Sequence, residues 1–408
     1  MATLRFLFVC ILGLHGLIHL MGFVRAWFLT KMDLITATTT IPRSTTETKA
    51  VGLLWLLTSL LFLAAVGVFL AGMARWWLVA FGAVFVSQLL ILLYWQDAKA
   101  GTLANLLILA ISLLAYADWN FTANVKAEIH NLMAEAGDEK PSVITARQVA
   151  EMPSIVQKWL THAQVIGKER IQTAHLTQQG QMRTKVNGGW MPVEAQQYFT
   201  TNQPGFIWHA RIKAAPLVYL AGRDKYEQGH GHMLIKAMSF WPIANTSGNE
   251  IDQGTMLRYL GEMVWFPTAA LSPYIHWEQL GATTARATMS YGKTIASGVF
   301  TFTPDGDVIR YVAQRYGEFE GTYRQETWSI TLSNHQALAG IRIPVQAAVT
   351  WQLKTGDFTW YTVTITEINY NDRSDRVRIT ARPIPASQPM ASAPLNEQSL
   401  QVRNPAGS

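Results

Sequence analysis

Arg258 and Glu262 are the residues whose types and spacing most plainly offer chemistry. They stand four apart in MLRYLGEMVWFPTAALSP (256–273), so a helix there projects both from one face. A guanidinium beside a carboxylate can bind an acidic headgroup or take part in acid–base chemistry. It can also be a structural clamp. An exposed pair at this spacing contributes only about 0.3–0.5 kcal/mol. Breaking a buried one costs roughly 3–5 kcal/mol, so burial decides which role is open. Tyr259, Trp265 and Phe266 flank the pair, and Trp208 and Tyr226 join them as the expected ligand-binding set.

Two histidine groups come next. His15 and His19 share one helical face inside the first apolar segment, where ionisable groups are functional suspects. Two imidazoles at this spacing can help hold a haem or a metal. The plainer alternative is neutral histidines bonded to Ser59, Gln88 or Asn105 on neighbouring helices. Glu227, His230 and His232 lie in EQGHGH with Asp224 nearby. A zinc or copper site needs three or four converging ligands, and here Gly229 and Gly231 read as a bend in an exposed polar strand. There is no P-loop, no G-x-S-x-G elbow, no H-E-x-x-H and no G-x-G-x-x-G after a strand. No catalytic set, metal or cofactor is therefore expected. An enzyme using Arg258 and Glu262, or Asp224 and His232, stays as an alternative.

These residues need elements to hold them. Leu257, Leu260 and Val264 recur at helical spacing, and Tyr259, Met263 and Phe266 form a second apolar row. Pro267 ends the first helix and opens a second, Pro267 to Leu271. A helix apolar nearly all round wants burial, so the expectation is a plug inside a sheet.

The chain has 408 residues, 49% hydrophobic and only 15% charged, with a net charge of +6. That balance points to membrane spans. The cations are scattered rather than striped, which argues against nucleic acid as a partner. The single cysteine, Cys10, sits in an apolar run, so no internal disulfide forms. Four apolar segments, Phe6–Val24, Val51–Met73, Trp76–Trp95 and Thr102–Ala117, fill the first 118 residues. A span needs about 20 apolar residues. Trp76, Trp77, Tyr94, Trp95, Tyr116 and Trp119 sit at segment ends, as belt aromatics do. The first run is longer than a signal-peptide core and FVRAW offers no cleavage site. Arg25, Lys31, Arg43 and Lys49 in the first loop and Lys99 in the third outnumber Arg5, Arg75 and Lys126 on the other side. The bias places the first and third loops in the cytoplasm and both termini outside.

Residues 119–165 read as a helical connector, with one face at Val125, Ile129, Leu132 and Met133 and another at Ile155, Val156, Trp159 and Leu160. From 166 to 372 the period changes to two. Phe206, Trp208, Ala210 and Ile212 alternate with Ile207, His209 and Arg211, and turn signals such as Asn187-Gly188-Gly189 and Pro304-Asp305-Gly306 separate the runs. Roughly ten strands in one curved antiparallel sheet are expected. The tail 373–408, rich in Pro, Ala and Ser, is expected to be disordered.

Several phrases resemble a bacterial family of unknown function in which membrane helices precede a β-domain. They are HGLIHLMGF (15–23), GGWMPVEAQQYF (188–199), GFIWHA (205–210), GRDKYEQGHGHM (222–233), RYLGEMVWFPTAAL (258–271) and IPVQAAVTW (343–351). The β-domain of that family is similar to lipoprotein-carrier and lipid-binding half-barrels, which implies a fold and not an activity. The architecture expected is thus a membrane α-helical bundle of four spans plus an α+β domain, a curved antiparallel half-barrel sheet with helix 256–271 embedded in it. The expected role is a bacterial inner-membrane protein binding a lipid or other lipophilic ligand outside the cytoplasm, with an envelope protein as the alternative partner.

Overall fold

The computed structural model describes residues 2–28, 45–136, 140–319 and 321–372. Lys31, Arg43 and the expected tail 373–408 lie outside the described residues. Among the described residues four helices are long and apolar enough to cross a membrane: α1 (Ala2–Phe28), α2 (Thr45–Leu70), α3 (Trp76–Leu93) and, after the short α4 (Trp95–Ala98), α5 (Gly101–Glu135). In the first three, leucine, isoleucine and phenylalanine recur on every face, the pattern of a helix surrounded by apolar matter. Phe8, Leu12, Phe62, Ala80, Ala83, Val84 and Ile108 form the shared core of this bundle.

The helix of the fourth apolar segment runs on through the start of the expected helical connector. Asp118 and Trp119 lie inside α5, which continues without a break to Glu135. No Pro or Gly interrupts Thr102–Glu135, so nothing ends the helix at its exit from the apolar segment. Its second half changes character. Phe121, Val125, Ile129, Leu132 and Met133 now form one stripe, packed on Tyr198, Ile207 and Ala221 of the sheet. Two short helices follow, α6 (Ala146–Ala150) and α7 (Ser154–His162). Thr145 and Gln148 form a reciprocal cap at the start of α6. Ile155, Val156, Trp159 and Leu160 of α7 belong to the main core of the sheet.

Among the described residues, thirteen antiparallel strands form one sheet in the order β6-β5-β4-β3-β2-β1-β13-β12-β11-β10-β9-β8-β7. The first six are β1 (Thr173–Met182), β2 (Met191–Thr200), β3 (Gly205–Ala215), β4 (Val218–Glu227), β5 (His230–Ala237) and β6 (Trp241–Ser247). Helix α8 (Asn249–Glu262) comes next, then 3-10 turns at Met263–Trp265 and Pro267–Leu271. The remainder are β7 (Ile275–Gly281), β8 (Thr284–Tyr291), β9 (Thr294–Phe302), β10 (Val308–Phe319), β11 (Thr322–Leu338), β12 (Ile341–Leu353) and β13 (Gly356–Tyr370). The count exceeds the ten expected because tight turns such as Tyr291-Gly292-Lys293 split runs that look continuous by composition.

The sheet is strongly curved and does not close. Its order ends at β6 on one side and β7 on the other. Yet α8 touches β4, β5 and β6 near one end and β8, β9 and β10 near the other. Only a sheet wrapped around the helix allows both. Alternation then sorts the side chains. In β3, Phe206, Trp208, Ala210 and Ile212 point into the hollow, while Ile207 meets α5 outside. The aromatic filling needs glycines opposite it: a Cβ on Gly298 of β9 would sit 2.2 Å from the Tyr311 ring, and one on Gly261 of α8 2.7 Å from it.

Helix α8 begins at Asn249 rather than Met256. The extra turns, NEIDQGT, are polar and carry no apolar period, so spacing misses them. What starts the helix is Gly248 at φ +122°, followed by Glu250 and Asp252 in the first turn, where carboxylates favour the positive end of the helix dipole. Pro267 separates the two 3-10 turns as expected.

Candidate functional site

Arg258 and Glu262 are brought together in the hollow. Arg258 Nε donates to Glu262 Oε1 at 2.8 Å, and Arg258 Nη1 donates to Asp224 Oδ2 of β4 at 2.6 Å. The guanidinium also lies 5.0 Å from the Phe206 ring centroid and 5.2 Å from that of Trp208. The pair of the sequence is therefore a triad, because Asp224 faces inward in the register Trp208↔Asp224. Glu262 Oε2 accepts from Gln197 Nε2 at 2.7 Å; Gln178 Nε2 donates to Gln197 Oε1, and Trp208 Nε1 donates to Gln178 Oε1. A hydrogen-bonded line thus runs across β1, β2 and β3 to α8. The side chains of Arg258 and Glu262 are 14% and 10% exposed, which makes this a buried cluster rather than a solvated helix pair.

Burial opposes the charge on Arg258, but the two carboxylates raise its pKa above the ordinary value. Burial pushes Glu262 up, against the pull of Arg258 and its hydrogen bonds. Arg258, held between two carboxylates, therefore keeps its proton.

The aromatic members surround this line. Tyr259 OH donates to the Thr200 carbonyl at 3.0 Å. Trp265 Nε1 donates to the Pro344 carbonyl at 3.0 Å. Phe266 packs 4.4 Å from Phe199 between ring centroids. Tyr226 packs on Phe206 and Tyr259.

Sequence spacing missed a second cluster on the opposite wall. In β10, Tyr311, Ala313 and Arg315 share the inward face, and Arg315 lies 4.7 Å over the Trp328 ring of β11. Gly254 of α8 leaves room for it: a Cβ there would be 3.2 Å from Arg315 Nε. Strict alternation in VIRYVAQRYGEF would have flagged an arginine on a core face. Burial holds its pKa down to about 10. Arg315 Nε, Trp328 Nε1, Tyr311 OH, Tyr226 OH and Asp224 Oδ1 are buried atoms with no hydrogen-bond partner among the described residues. Burial, first of all, raises the Tyr226 and Tyr311 hydroxyls far above the usual phenol range, so both remain protonated. Four of the five orphans are consequently donors.

The remaining sequence candidates lie elsewhere. His15 Nε2 is 3.0 Å from Asn105 Oδ1 and 3.3 Å from Ser87 Oγ, and His19 Nδ1 donates to the His15 carbonyl at 2.8 Å. The side-chain partners of His15 are thus Asn105 and Ser87, and Gln88 joins the network only through Asn105, which donates to it. The Asp224–His232 grouping does not form. His232 pairs with Lys225 in the β4–β5 register and is bonded to Arg223 and Asn245, on the face opposite Asp224. His230 meets Asp252 at 3.2 Å, and Glu227 meets Lys225 at 3.1 Å. No group of three metal-ligating side chains occurs among the described residues. A cleft of about 80 Å³ between α5 and β3, lined by Asp118, Phe121, His209 and Arg211 among others, is small beside the roughly 300–1,000 Å³ of small-molecule sites.

Residues 142–363 match the model of DUF6544, described as a family of unknown function. No curated protein matches the chain. Among solved structures it is similar to a LolA superfamily protein from Nitrosomonas europaea, at 9% identity over 57% of this chain and 97% of that one, TM-score 0.33. A putative outer membrane lipoprotein-sorting protein domain from Vibrio parahaemolyticus gives 8% identity over 51% and 89%, TM-score 0.25. A DUF1329 family protein from Desulfovibrio piger gives 8% over 56% and 96%, TM-score 0.29.

Proposed function

We propose, for a chain that belongs to the DUF6544 family of unknown function, that the β-domain binds a lipophilic molecule with an acceptor-rich head between α8 and the concave face of the sheet. The observation that carries this reading is the set of orphaned donors in an otherwise aromatic hollow. A buried donor without a partner costs about 1–3 kcal/mol, and native interiors tolerate few of them. Arg315, Trp328, Tyr311 and Tyr226 supply such donors on the walls that α8 covers. A carboxylate, phosphate or ester head would satisfy them, Arg315 first because its bond is charge-assisted. Trp208, Tyr226, Tyr259, Trp265 and Phe266 would enclose the apolar part, and Arg258 and Glu262, through Asp224 and Gln197, would hold α8 on the sheet until a ligand displaces it.

Magnitude supports an exchange between α8 and a chain-like ligand. Lifting Met256, Leu257, Tyr259 and Leu260 off the sheet costs about 1.5–3 kcal/mol each, hence roughly 6–12 kcal/mol. Burying a chain of about fourteen methylenes returns roughly 11 kcal/mol at about 0.8 each. The two are of one order, and the bonds of Arg258 and Glu262 to the sheet add to the first, so the head's bonds to Arg315 and its neighbours must supply the difference. The apolar helices would anchor this domain in a bacterial inner membrane, with the sheet on the extracytoplasmic side by the Lys/Arg bias of the loops.

Native mass spectrometry of the full chain, purified in mild detergent, tests the reading. An acidic lipid should remain bound to the wild type and be lost in Arg315→Met, and amide exchange in α8 should rise on loading. Equal retention by both proteins, with α8 unchanged, would overturn it. A co-purifying protein in place of lipid would favour an envelope-assembly role, for which the open edge at β6 offers a strand to pair with.

A further inference from the structure

The end of the sheet nearest the membrane helices is apolar where water-facing turns are polar. Helix α5 fixes the height of that end. Trp77, Tyr116 and Trp119 cluster at ring distances of 4.9 and 5.5 Å from Trp77, with Arg75 over Trp119, and so mark the border of the apolar segment. Asp118 lies at this level. Its Oδ1 accepts from Arg211, Tyr219 and Ser239 at 2.7–2.8 Å, which ties the ends of β3, β4 and β5 to the border residues of α5.

The two hairpin turns beside those bonds are β3–β4 and β5–β6. Leu217 is 58% exposed and Val218 43%; Phe240, Trp241 and Ile243 are 53%, 66% and 59% exposed. The turns also hold side chains where glycine is favoured: Leu217 at φ +81°, Met238 at +51° and Ser239 at +57°. A hydrogen bond from Met238 N to the Tyr219 carbonyl joins the two tips into one patch. From Ile212 to Tyr219 and from Lys236 to Ile243 the charges are Lys213 and Lys236, with no carboxylate.

We infer that the β3–β4 and β5–β6 hairpins seat in the surface of an anionic lipid bilayer, so that the sheet rests on the same membrane its helices cross. Continuity with α5 selects a lipid surface over other occupants. The bonds of Arg211, Tyr219 and Ser239 to Asp118 tie the patch to the residue next to Trp119 of the aromatic border. Phenylalanine and tryptophan rings sit at the headgroup boundary, and lysines beside them complement anionic lipid. The inference rests on the membrane anchoring of α5 and is independent of a ligand in the hollow.

Cys10 is the single cysteine, so Cys10→Ser gives a clean background for labels. In full chains carrying Leu217→Cys or Trp241→Cys, an environment-sensitive fluorophore is attached and the protein is placed in vesicles of zwitterionic and anionic phosphatidyl lipids. Blue-shifted emission, quenched by spin-labelled lipid and protected from iodide, is expected at both positions. At Ile295→Cys, exposed on β9, a water-like and iodide-quenched signal is expected. Iodide-accessible labels at 217 and 241 would overturn the inference. Protection without quenching by lipid would also overturn it, because a protein surface would then cover the patch. Lipid retention in the hollow, read by mass spectrometry, is a separate measurement and stands or falls by itself.

Discussion

Replacing Arg258 by methionine isolates what the buried cluster contributes. The substitution removes the 2.8 Å bond to Glu262 and the 2.6 Å bond to Asp224. It leaves Glu262 with Gln197 alone, and Asp224 with neither oxygen bonded among the described residues. Breaking a buried ion pair costs about 3–5 kcal/mol, and two stranded carboxylates put this variant at the upper end, about 5 kcal/mol. Glu262→Leu should cost less, about 3 kcal/mol, because Arg258 keeps Asp224 while Gln197 loses its acceptor. Asp224→Leu should cost a similar amount, about 3 kcal/mol. The triple change Arg258→Met, Glu262→Leu and Asp224→Leu leaves none of the three sites with a stranded charge and returns their desolvation cost, while Arg315 loses the pull of both carboxylates. The loss should fall below about 3 kcal/mol, although the single losses sum to roughly 11 kcal/mol. Urea unfolding of each full chain in detergent, followed by the β signal in circular dichroism, measures these differences. Single losses under about 1 kcal/mol that add up in the triple variant would refute the reasoning, since only a solvated cluster behaves so.

Two further outcomes follow from groups outside the hollow. His209 faces α5, and burial, with Arg211 and Lys126 nearby, brings its pKa from 6.5 down to about 4. The unfolded chain therefore binds a proton that the folded chain refuses between about pH 6.5 and 4, and stability falls as pH falls through that window. The loss at pH 5 relative to pH 8 is about 2 kcal/mol. His209→Phe should flatten that part of the profile in urea titrations at the two pH values, and an unchanged slope would contradict it. For topology, alkaline phosphatase fused after Asp372 should be active and a green fluorescent protein fused there dark; the reverse would place the sheet in the cytoplasm.

The sequence disclosed periods well and partners badly. Continuous apolar runs announced the long apolar helices, and alternation in GFIWHARI announced a strand, although α5 buries its second face as well. Arg258 and Glu262 were visible because four residues along one helix are close by geometry alone. Asp224 was not visible as their partner, because its position depends on a register thirty-four residues away in the chain. Arg315 lay within reach of alternation, but its role depends on Trp328 across the ladder and on Gly254 beneath it. The polar start of α8 was hidden for the opposite reason: capping and a glycine turn set it, and neither leaves a hydrophobic period.

The unbroken course of α5 has a mechanical consequence. A helix of 35 residues is a rod about 52 Å long, and roughly its second half is bolted to the outer face of the sheet. Hydrophobic spans adjust to bilayer thickness by tilting. A rod cannot tilt at one end only, so a change of about 10° in the lipid would carry its far end about 5 Å sideways. With no hinge to absorb that swing, a bilayer crossed by these helices would set the attitude of the sheet through its thickness.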